Sequence, residues 1–220
     1  MKCSFSRRVV WFWAALLIAT PVWAHIPMVV TNDTTGYSDA IKIPKPEVSW
    51  ALYSNLDSPT DIDFYSFELT KPMLGHVTLI VPYLPDYEDF HPVFAVVGPG
   101  LPEAKVHLPF SLPKGYGAVI QEPTGANPRP TFFEEFSRKR YYEGLSEFKQ
   151  QLTATGTYYV VVWHPRGEYG AYVIGYGDKE GFTLKDWANA FKILPTIKKD
   201  SWVGKRGKPP VAPDSCGCGK

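Results

Sequence analysis

The sequence predicts a mainly β fold: an antiparallel β-sandwich with a long loop-rich insertion and one C-terminal α-helix. Three observations predict it. Short runs of alternating apolar and polar residues recur between turn signals. Aromatic residues are abundant, and so are proline and glycine, which suits short strands joined by turns. One segment near the end carries apolar residues at helical spacing behind a capping residue.

The elements follow in order. Residues 1–24 have the pattern of a secretory signal: Lys2, Arg7 and Arg8, then an apolar run from Val9 to Ala19, then Val22-Trp23-Ala24 before the cut. The β-sandwich domain is expected over 25–197. Asn32, Asp33 and Gly36 supply turn chemistry. Val48–Leu56 alternates as a strand, and Asp57-Ser58-Pro59-Thr60-Asp61 turns the chain. Phe64–Leu69 and Gly75–Val81 read as the next strands. Pro82–Asp89 is a loop of tyrosines and acids, and Pro92–Val97 is a short apolar strand. From Leu101 to Pro130 proline and glycine are too dense for long elements. Phe132–Tyr142 fits either a short helix or a covering loop.

Thr157–His164 and Ala171–Tyr176 form a β-hairpin around the turn Pro165–Gly170. A helix near 183–194 follows. Thr183 caps it, with Asp186 three residues on, and Pro195 ends it. Leu184, Trp187, Ala188, Phe191 and Leu194 share one face, which is expected to dock on the sandwich rather than on a membrane. Residues 198–220, rich in Gly, Pro and Lys, read as a disordered basic tail.

Three pieces resemble a known module: Asp61-Ile62-Asp63-Phe64-Tyr65-Ser66-Phe67, Gly156-Thr157-Tyr158-Tyr159 and Gly170-Ala171-Tyr172. Together they are similar to the bacterial pre-peptidase C-terminal domain. The resemblance covers about half of the chain after residue 24 and implies a secreted β-sandwich, of a kind often appended to exported enzymes. The segment Pro82–Gln150 is longer than that family's usual connection, and no protease domain stands beside the module. Asp61 and Asp63 either close a turn or, with loop carbonyls, suit a hard cation such as calcium.

Charge excludes one class of partner. After residue 24 the body carries an acidic excess and the basic excess is confined to the tail, so nucleic acid is not an expected ligand. After residue 24 no apolar run approaches the roughly 18–20 residues of a spanning helix. An exported protein, periplasmic or extracellular, is the expectation. Cys3 lies in the signal, and Cys216 and Cys218 alone cannot staple a fold.

Candidate chemistry is sparse. Cleavage after Ala24 leaves His25 first, and its amine and imidazole can chelate a transition metal, copper being the natural choice. His164, at a strand end before Pro165, and His91, in Asp89-Phe90-His91-Pro92, are the expected further ligands. Copper carriage would follow or, resembling lytic monooxygenases, oxidative cleavage of polysaccharides. Cys216-Gly217-Cys218 is a weaker metal candidate, for Cu(I). Tyr83, Tyr87 and Asp89 offer rings and a carboxylate for a carbohydrate or protein ligand, or else cover the core. No Gly-x-Ser-x-Gly, His-Glu-x-x-His or phosphate-loop pattern occurs. The reading is an exported binding or interaction protein without evident catalytic machinery, the alternative being a copper-binding protein built on His25.

Overall fold

A computed structural model describes residues 25–125, 128–179, 181 and 183–209. It is a β-sandwich with a single helix among the described residues. The first sheet runs β1(Ile26–Val29), β3(Trp50–Leu56), β12(Gly170–Tyr176), β5(Met73–Pro82), β9(Lys139–Tyr142), β8(Thr131–Glu134), with β10(Glu147–Leu152) also on β5. The second runs β2(Ile41–Lys42), β4(Ile62–Leu69), β11(Gly156–Trp163), β6(Val93–Pro99), β7(Tyr116–Gln121). Pairing is antiparallel except where β1 meets β3 and β2 meets β4.

Alternation fixes which residues meet between the sheets. Leu52, Leu79 and Ile174 point inward from the first sheet, and Tyr65, Phe67, Val96 and Val160 from the second; all are buried. The rings of Phe67 and Tyr176 touch across the gap at 4.9 Å. The outer faces are also covered, which explains why β6 and β11 are apolar at both parities. On the second sheet Phe64, Val97 and Val161 pack under Leu108 and Phe110 of the loop after β6. On the first sheet the β8–β9 hairpin and the chain after the helix lie over Tyr53. The segment Phe132–Tyr142 is therefore neither a helix nor a simple covering loop but this hairpin, registered by Phe133 opposite Arg140.

The helix α1(Leu184–Lys198) begins with a complete capping box: Thr183 Oγ1 accepts from Asp186 N and Asp186 Oδ2 from Thr183 N. Two expectations are corrected here. Pro195 does not end the helix, which runs through it to Lys198. Pro195 lies on the exposed side, so the carbonyl of Phe191 that loses its donor faces water. The predicted apolar stripe also faces outward. The helix docks through Ala190, Ile193 and Ile197, while Leu184 is 91% and Phe191 63% exposed.

Residues 199–209, expected at the start of a disordered tail, are packed. Trp202 is buried against Tyr53, with ring centroids 5.0 Å apart. Asn55 Nδ2 donates to Trp202 O at 2.9 Å. Gly207 and Tyr169 exchange backbone hydrogen bonds of 3.0 Å. An indole and an arginine with specific partners outweigh a composition that favours disorder.

Candidate functional site

Two histidine clusters occupy opposite ends of the sandwich. His25 precedes β1 at the Trp50 end of β3, where Ile26 N donates to Ser49 O at 2.9 Å. His164 follows β11 at the other end, beside the turn into Gly170. The register Trp50–Tyr176 to Leu56–Gly170 separates these ends by about 20 Å at the usual rise per strand residue. His25 therefore does not meet His164 or His91.

The His25 ring lies on the outer face of the first sheet. Its Nδ1 contacts Ser49 Oγ. Ser49 Oγ spends its own proton on Gly177 O, 3.0 Å away. The imidazole must then donate from Nδ1, which leaves Nε2 with a lone pair. Burial holds the ring below its ordinary value of 6.5, against the opposing pull of Glu134. It is neutral at neutral pH. The ring lines a cavity of about 120 Å³ together with Tyr53, Glu134, Phe136 and Tyr141. Glu134 holds the hairpin turn by accepting from Phe136 N and Ser137 N at 2.9 and 2.7 Å. His76, on the neighbouring part of the sheet, opposes charge on His25 and is clamped by Asp178 and Glu147. An amine and Nδ1 chelate at His25 would compete with the Ser49 contact.

His164 is buried and differently committed. Its Nδ1 accepts from Arg166 N at 3.2 Å and Glu168 N at 3.1 Å. The ring proton therefore sits on Nε2, and burial pushes the pKa down to about 4. A neutral ring in this state offers a donor rather than a lone pair, the reverse of what a metal ligand presents. Phe90 stacks on it at 5.4 Å. His91 lies within electrostatic reach and is also held low, by burial and then by Arg129. His164 and His91, each expected as a further ligand to His25, instead lie near one another among Arg129, Arg166 and Arg206, and cations repel a metal ion.

The tyrosine loop divides. Tyr87 is 2% exposed and its hydroxyl accepts from Ala171 N at 2.9 Å, so it anchors the loop and is no ligand-binding ring. Asp89 is exposed and pairs with Lys208 at 2.6 Å. Tyr83 is exposed and tilts against Tyr142 at 4.9 Å. Cys216 and Cys218 lie outside the described residues.

A third group gathers Asp33 with Asp61 and Asp63, whose carboxylate oxygens lie within 4.8 Å of one another. This oxygen set is of the type that holds a hard cation. Asp33 was legible only as a turn residue, because its approach to β4 is a tertiary contact. Asp63 is buried, and desolvation raises its pKa to about 8, ahead of the opposing hydrogen bond from Tyr172. Tyr172 in turn meets Tyr65 at 2.7 Å. Asp63, Tyr172 and Tyr65 thus form a buried polar chain between the sheets, with Asp61 half-buried beside it.

No protein-family model matches the sequence, and no curated protein matches it. Among solved structures, the chain is similar to the pre-peptidase C-terminal domain of collagenase from Bacillus anthracis. The TM-score is 0.38 and the identity 12%, over 65% of this chain and 99% of that one. That domain is of the family the three sequence motifs resemble.

Proposed function

We propose that the chain is an exported, non-enzymatic binding protein whose contact surface is the outer face of α1 together with the β8–β9 hairpin. One observation carries this reading. A capped, well-docked helix leaves Leu184, Ala188 and Phe191 in water while using a different stripe for the core. Contiguous apolar side chains in water mark interaction surfaces. The surface continues from Phe191 through Trp187 to Phe136, with ring centroids 5.9 and 6.4 Å apart, and so reaches the cavity beside His25. The signal-like residues 1–24 support export.

Native fractionation of producing cells tests the reading. The exported fraction should contain a chain beginning at His25 that travels with larger material. The pair Leu184→Ser and Phe191→Ser should release it to the position of the free chain. A wild-type chain that is already free in that fraction contradicts the reading.

A second reading, copper binding at His25, is favoured by the lone pair left on Nε2 and by Glu134, which acts electrostatically on the ring and lines the same cavity. Copper titration of a chain beginning at His25 should then show a site that His25→Ala removes and His164→Ala leaves intact. Equal binding by wild type and His25→Ala contradicts it.

A further inference from the structure

The partner class can be argued from what flanks the exposed stripe, on the footing of the binding reading above. At 100° per residue, Leu184, Ala188, Phe191 and Pro195 form one narrow strip opposite the docked residues Ala190, Ile193 and Ile197. Lys185 and Lys192 border it on one side. Trp187 and Lys198 border it on the other, where Trp187 leans on Phe136. Lys185, Lys192 and Lys198 form no side-chain ion pair among the described residues, and the helix's one acid, Asp186, is turned to its cap. An apolar strip with an aromatic shoulder and free lysines along its edges is the arrangement of a helix lying in a membrane interface. Here the helix is already folded by its cap and by the sheet beneath it, so docking carries no cost of helix ordering.

We infer that the outer face of α1 docks the protein on an anionic lipid surface.

Cosedimentation with vesicles tests this. Protein recovered from the exported fraction should bind vesicles of phosphatidylglycerol and phosphatidylcholine in equal amounts, less so as salt rises, and should leave pure phosphatidylcholine vesicles unbound. Replacing Lys185 and Lys192 by Gln should weaken binding about 30-fold, from the worth of a lysine near an anionic surface. Leu184→Ser and Phe191→Ser should each weaken it by more than about tenfold. These side chains lie in water, so the variants keep the fold. No binding to the anionic vesicles, or binding that the serine pair leaves unchanged, overturns the inference. If vesicles fail while the exported chain still travels with larger material that the serine pair releases, the partner is a protein and the binding reading stands alone. If the exported chain is free as well, both fall.

Discussion

Arg206 Nη2 lies 2.6 Å from Glu168 Oε2, with side chains 11% and 7% exposed. This pair ties the C-terminal segment to the β11–β12 turn. The Arg206 guanidinium also sits 4.5 Å over the Phe90 ring and donates to Gly207 O at 2.6 Å. Burial pushes the Glu168 carboxyl up, but the hydrogen bonds from Arg206 and Arg166, with the neighbouring charges, together hold it below the usual carboxylate range.

Removing Arg206 leaves the buried Glu168 carboxylate with only the largely exposed Arg166 guanidinium as its charged partner. Arg206→Ala should destabilise the protein by about 3 kcal/mol, and Arg206→Met with Glu168→Gln should recover most of that loss. Urea unfolding checks both. A single variant as stable as wild type would show that the pair is a surface contact of little consequence.

The same segment supplies Trp202. Trp202→Ala should cost about 3–5 kcal/mol, the range for emptying a buried aromatic site. A chain ending at Lys199 should lose at least as much, since it also lacks Arg206. Thermal unfolding checks this, and an unchanged midpoint for the truncated chain would mean that residues beyond Lys199 are dispensable to the fold.

Asp63 sets a pH dependence whose sign is fixed. Its folded pKa, about 8, stands above the ordinary 3.8. Its contribution to stability is therefore complete below 3.8 and is lost as pH rises toward 8. Asp63→Asn keeps an acceptor for Tyr172 and carries no charge. Urea midpoints measured across that window should fall with pH more steeply in wild type than in Asp63→Asn, and parallel curves would contradict the buried carboxyl.

Tyr87→Phe should cost about 1–3 kcal/mol, because the buried Ala171 N–H loses its acceptor. The same change should leave binding through α1 untouched. Weaker binding at equal stability would return Tyr87 to a ligand-binding role.

Legibility in the sequence followed the range of the interactions. The strands β4, β11 and β12 were readable from local signals, alternation in β4 and, in β11 and β12, runs of aromatic and β-branched residues bounded by turn residues. The strands β7 and β10 were not: each is short and mixed in character, and forms only because β6 or β5 offers an edge. The helix showed its period but not its direction. Ala190, Ile193 and Ile197 repeat as regularly as Leu184, Ala188 and Phe191, and only the sheet decides which stripe is buried. Around the histidines, the sequence supplied the right residue types in the wrong groups. Strand register, which spans the chain, sets His25 beside Ser49 and Glu134 and leaves His164 with arginines.

The central claim is that the outer face of α1 is covered in producing cells and bare in the isolated protein. Labelling of Leu184→Cys by a membrane-impermeant maleimide tests it directly, in a background with Cys216 and Cys218 replaced by Ser. Val106→Cys, on the exposed loop after β6, serves as the reference. Both should label fully in purified protein. In producing cells the account predicts protection at Leu184→Cys and free labelling at Val106→Cys; equal labelling at the two positions in cells would contradict it.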